Sequence, residues 1–61
     1  MKNFFYGNTA VRMNYVFATD TWVVWMEDEG IKSGHRAYQS FAAAESDFNN
    51  RVRILKGVIA A

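Results

Sequence analysis

Two short stretches hold the residue types that chemistry most often uses. Glu27-Asp28-Glu29-Gly30 sets three contiguous acids before a glycine, and Ser33-Gly34-His35 contains the one histidine of the 61 residues. A calcium loop needs oxygen ligands at alternating positions around a central glycine, and contiguous acids do not supply that spacing. The run reads as a solvated turn, or as an acidic knob for a basic groove on a partner. One histidine without any cysteine builds no zinc site. Ser33 or Asp20 with His35 could be drawn as a dyad. No nucleophile elbow or phosphate-cradling glycine motif frames such a dyad, and a chain this short has little room for a concave pocket. The expectation is a protein that is not an enzyme and uses no metal or cofactor.

The residue types that remain are those of binding. Trp22 and Trp25 stand three positions apart, and Arg51, Arg53 and Lys56 form a small basic edge near the end of the chain. That edge is a solvating face, or a set of contacts for phosphate or for an acidic patch. Net charge is +1, which creates no strong pull toward nucleic acid or an anionic membrane. No apolar run approaches the roughly 18 residues of a membrane span. Asn3, Gly7, Asn8 and Arg12 interrupt any signal-like core. These features predict a soluble, cytoplasmic protein. Val58-Ile59-Ala60-Ala61 is a short apolar tail, read as packed or frayed, or as the kind of terminus that bacterial proteases recognise.

Composition is that of one folded domain over residues 1–61, at 51% hydrophobic and 16% aromatic. Domains of this size bury only about 60% of the surface their unfolded chains expose, and without cysteine no disulfide can compensate. Aromatic packing or association with another molecule must do so.

The elements that position these residues follow from periodicity. Ala10 to Ala18 alternates, with Val11, Met13, Tyr15 and Phe17 on one side and Arg12, Asn14, Val16 and Ala18 on the other. Trp22 to Glu27 is a second strand, and Thr19-Asp20 is the turn between them. Pairing Phe17 with Trp22, Tyr15 with Val24 and Met13 with Met26 makes one wholly apolar face. Val16–Val23, Asn14–Trp25 and Arg12–Glu27 then share the other face, because residues an odd number apart on a strand point oppositely.

Glu27 to Gly34 reads as a loop and His35 to Gln39 as a short third strand. Ser40 is a helix N-cap. Phe41, Ala44, Phe48, Val52 and Leu55 follow as a stripe at spacings of three and four. Asn49-Asn50 could end that helix and leave Arg51 to Ile59 as a fourth strand, or the helix could continue to a stop at Gly57. The predicted fold class is α+β: an antiparallel sheet of three or four strands with one helix on one face. Phe4-Phe5-Tyr6, before the turn signal Gly7-Asn8, could fold over the second face and cover Trp25.

From Trp22 to Phe48 the order is strand, glycine-bearing loop, strand, "YQSFAAAE", helix. This layout, over about half the chain, resembles the three-stranded sheet plus helix of AP2-like modules, including the arm-binding domains of phage integrases. The resemblance implies DNA reading by an exposed sheet, here through Arg12, Asn14, Trp25, Lys32 and Arg36. Val23 and the acids Glu27, Asp28 and Glu29 depart from that pattern. As a class, small cysteine-free aromatic-rich domains with acidic knobs also resemble phage-encoded inhibitors of host machines, such as anti-CRISPR proteins.

The leading expectation is a protein-binding module. Trp25, Val23 and Val16 would anchor the contact, and Arg12, Asn14, Glu27, Asp28 and Glu29 would form its polar rim. The partner would be a second copy, giving a homodimer, or a host protein blocked by steric occlusion. The alternative is a DNA-binding module with phosphate contacts from Lys32, Arg36, Arg51 and Arg53, and steep salt dependence.

Overall fold

A computed structural model describes residues 1–57. It is an α+β fold: a four-stranded antiparallel sheet in the order β1-β2-β3-β4, followed by one helix packed on it. The strands are β1 (Lys2–Tyr6), β2 (Thr9–Val16), β3 (Thr21–Asp28) and β4 (Ile31–Tyr38), and the helix is α1 (Phe41–Leu55).

Alternation along β2 and β3 sorts the two faces. Val11, Met13 and Val24 are fully buried beneath Ala44 and Phe48 of the helix, with Phe4, Trp22, Met26, Tyr38, Val52 and Leu55 packed around them. The intervening residues point to the opposite face, which no element among the described residues covers. Phe41 closes one end of the core edge-on to Trp22, at 5.0 Å between ring centroids, yet remains 43% exposed.

The β2–β3 register differs from the expected one by two positions. Tyr15, not Phe17, lies opposite Trp22, and Met13 lies opposite Val24. The faces survive, because a shift of two preserves parity. Phe17, expected in the core, is instead in the turn and 87% exposed. The turn is closed by Thr19 N–H to Val16 O and Asp20 N–H to Phe17 O, with Asp20 at φ 53°. Asp20 also accepts from the Tyr15 hydroxyl. Those local bonds outweigh the burial of one more ring.

The fourth strand is at the start of the chain rather than the end. Lys2–Tyr6 pairs with β2 through the turn at Gly7-Asn8. Phe4 joins the core side and Phe5 the open side, so this segment widens the sheet instead of folding over Trp25. The segment expected as a loop, Glu27 to Gly34, is a hairpin. Asp28 pairs with Ile31 around Glu29-Gly30, both at positive φ (52° and 86°), the conformation of a type I′ turn.

The helix does not stop at Asn49-Asn50, so Arg51 and Val52 are helical rather than part of a strand. Asp47 accepts from Arg51 Nε at 2.9 Å across the two asparagines, while Phe48, Val52 and Leu55 keep one stripe against the sheet. Ser40 Oγ caps the start by accepting from Ala43 N–H at 3.1 Å, and Gly57 N–H closes the end on Ile54 O at 2.9 Å. The apolar tail 58–61 lies outside the described residues.

Candidate docking surface on the open sheet face

The open face is built in rows that cross the strands. One row runs Asn3, Arg12, Trp25 and His35; the next runs Phe5, Ala10, Glu27 and Lys32; a third carries Asn14, Val23 and Ala37. Val16 and Thr21 finish the face beside the turn.

His35 reaches this face because of a β-bulge. Val24 pairs with Arg36 but Met26 with Ser33, so Gly34 and His35 together oppose Trp25. Gly34 takes φ +66°, which a side chain rarely adopts, and a Cβ there would stand 3.4 Å from Arg51 Nη1. The extra residue turns the His35 ring onto the Trp25 ring, with centroids 5.6 Å apart and planes within 9° of parallel.

Polar contacts fix the centre of the face. Trp25 Nε1–H donates to Glu27 Oε2 at 3.0 Å. Arg12 Nε lies 2.7 Å from the same oxygen, although its buried N–H is not aligned for a hydrogen bond. The other end of the Arg12 guanidinium donates from Nη1 to Asn3 Oδ1 at 2.8 Å and lies 5.3 Å over the Phe5 ring. Glu27 is therefore held below its ordinary value, first by the indole N–H and then by the positive charges of Arg12 and Lys32, against a push upward from burial. Its side chain is only 16% exposed. Asn3, Phe5, Arg12, Glu27, Trp25 and His35 thus form a connected chain across all four strands.

Of the partner-binding residues expected from sequence, Trp25, Val23, Val16, Arg12, Asn14 and Glu27 share this face. Trp25 is half-buried, flanked by His35 rather than covered by the first residues. Asp28 and Glu29 depart from the expected rim. Asp28 has the opposite parity and accepts from Thr9 Oγ1 at 3.3 Å, while Glu29 is in the turn.

The expected phosphate contacts do not assemble. Lys32 is on the open face. Arg36 pairs with Val24 on the helix side, where its charge helps hold Asp47 low. Arg51 is spent on Asp47, and Arg53 donates to Asn50 on the helix. Lys32 and Arg36 share parity along the chain, and the bulge at Gly34 between them reverses it. Asn3 and His35, which the sequence pattern does not assign to this face, reach it through β1 and through the bulge, and Phe5 joins it as part of the sheet rather than as a cover. Gly34, read from sequence as the end of a loop, is instead a glycine inside a strand, where a bulge is a common reason for it.

On the other side of the molecule, a groove of about 440 Å³ is lined by Tyr38, Ala43, Ser46, Asp47, Asn50 and Arg53. Tyr38 with Asp47, and Arg53 with Asn50, bond to each other along it. Tyr38 hydroxyl donates to Asp47 at 2.6 Å, and Arg51 grips both carboxylate oxygens. That contact holds the Tyr38 hydroxyl above its ordinary value. Burial pushes the Asp47 carboxyl upward, and the Arg51 and Tyr38 bonds together outweigh it, leaving the group low. Among the described residues, no three His, Cys, Asp or Glu side chains come together as metal ligands. No helix among them is long and apolar enough to cross a membrane.

No family model matches the sequence, and neither a curated protein nor a solved structure is similar enough to count as a match.

Proposed function

We propose that this chain is a protein-binding module that works without catalysis, docking through its open sheet face with Trp25 as the anchor. The observation that carries the reading is the preorganised indole. His35 stacks on it, Glu27 holds its N–H, and Arg12 and Glu27 neutralise each other beside it. A rigid aromatic flanked by Val16 and Val23 and rimmed by polar groups has the composition of an interface centre. Fixing the ring before contact reduces the entropy lost on binding. Such a module acts by occupying a surface, and the finer reading is a phage-type inhibitor that occludes a nucleic-acid-handling host protein.

A photo-crosslinking residue at Ala37, on the open face, tests this against one at Asn49, on the outer side of the helix. In the cell that makes the protein, adducts from position 37 should dominate. Adducts from position 49 with none from 37 would reject the open face.

DNA binding is the second reading, favoured by Arg12, Asn14, Trp25 and Lys32 lying on one face as the AP2-like resemblance implies. Charge weighs against it. Arg12 is already paired with Glu27, and Arg36, Arg51 and Arg53 lie elsewhere, whereas phosphate binding grows with the number of free cations. If this reading holds, duplex affinity falls steeply with salt and Lys32→Ala flattens the slope. Binding that is indifferent to salt excludes it.

A further inference from the structure

We infer that the open face docks on a second copy of the same chain, the two sheets packing face to face about a two-fold axis. This rests on the open-face reading and names its occupant.

The row order carries the argument. Take a two-fold axis between the two faces, parallel to the strands and midway between β2 and β3. It lays every row over its own reverse, so β2 of one copy meets β3 of the other and β1 meets β4. Arg12 then stands over Trp25 of the second copy, and Phe5 over its Lys32. Each contact occurs twice, as two-fold symmetry requires. In both rows a cation meets an aromatic ring, a favourable pair. The rotation of about 30° between packed sheets disturbs these central rows less than the outer ones.

Size and the sheet edges agree. The molecule measures 36 × 23 × 16 Å, so a face within the two longer dimensions has an upper limit close to the roughly 800 Å² that each partner contributes to a standard interface. Among the described residues the core beneath the helix is small, made of Val11, Met13, Val24, Ala44 and Phe48, and a second sheet on the other face would add buried surface to it. Association through the edges is disfavoured. β1 is short, and β4 carries the bulge at Gly34 between Lys32 and Arg36. Pairing β4 antiparallel with itself around Gly34 would set Lys32 against Arg36, a like-charge contact.

Sedimentation equilibrium of the full purified chain, from micromolar to millimolar, tests the inference with a charge exchange. Wild type should be a monomer–dimer system. Phe5→Lys puts like charges together and should weaken the dimer by about tenfold or more. Lys32→Glu alone should weaken it less. The double variant, Phe5→Lys with Lys32→Glu, should recover most of the loss, because each new lysine then faces a glutamate. Phe5 is 64% exposed and Lys32 is exposed, and circular dichroism checks that each variant folds. A wild type that stays monomeric overturns self-docking and leaves the open face to be judged by crosslinking at position 37. A dimer insensitive to Phe5→Lys, or unrescued by the double variant, also overturns it. Adducts confined to position 49 would instead overturn the open-face reading itself.

Discussion

The two faces of this sheet are made from the same strands, and they are built on different principles. Beneath the helix, Val11, Met13 and Val24 meet Ala44 and Phe48 with no polar group among them, and charge is kept to the perimeter, as in Lys2–Glu45 and Asp47–Arg51. The open face puts its ion pair at the centre, joined to Trp25, and leaves its apolar side chains around that centre. Trp22 and Trp25 show the contrast most simply. Three positions on one strand separate a ring wedged between Tyr15 and Phe41 from a ring held flat against His35. Both rings are half-buried. The first packs among core aromatics on the helix side, and the second is ordered by a stack and a hydrogen bond on the open face, which is the basis of the docking surface proposed above.

Phenylalanine offers the largest test of this contrast. Phe48→Ala should cost about 3–5 kcal/mol, enough to unfold much of so small a domain, while Phe5→Ala should stay within about 1 kcal/mol. Thermal unfolding followed by circular dichroism measures both, and equal losses would erase the distinction between the faces.

Gly34→Ala should come next, at about 1–2 kcal/mol, because a side chain is forced to positive φ. If the bulge aims His35, the same variant should also change Trp25 fluorescence. Loss of stability with the indole signal unchanged would mean that the bulge serves only the helix side.

Acid should weaken the open face through Glu27. Its folded value is lowered from the ordinary 4.5, so its contribution is complete above that pH and drains away as pH falls through the lower folded value. Asp47, lowered from 3.8, acts in the same direction on the helix side. Glu27→Gln should therefore flatten only part of the acid dependence of unfolding, and an unchanged profile would show that the ion pair contributes nothing. The smallest effect is expected at Glu29, a non-glycine residue at positive φ. Glu29→Asn should stabilise by several tenths of a kcal/mol, read in urea, since Asn-Gly suits this turn better.

Much of this architecture can be read from the chain, and the parts that cannot have physical causes. Alternation from Val11 to Tyr15 and the spacing of Trp22 and Trp25 assign residues to faces, and parity is robust to a register shift of two. Register is not legible, because Phe17 is as apolar as a core residue and only the turn bonds around Asp20 exclude it. β1 is hidden because Phe4-Phe5-Tyr6 is aromatic throughout and shows no alternation. The fate of Lys32, His35 and Arg36 depends on one extra residue at Gly34, which reverses every face downstream. Asn49-Asn50 has poor helix propensity, and tertiary burial of Phe48, Val52 and Leu55 overrides it.

The most direct test sets the two tryptophans against each other in stability and in association. Trp22→Ala should lower unfolding free energy by about 3–5 kcal/mol. Trp25→Ala, compared at concentrations where the protein is monomeric, should cost less, about 1–2 kcal/mol, and abolish association through the sheet. Similar stability losses at the two positions, with association untouched by Trp25→Ala, would contradict the account.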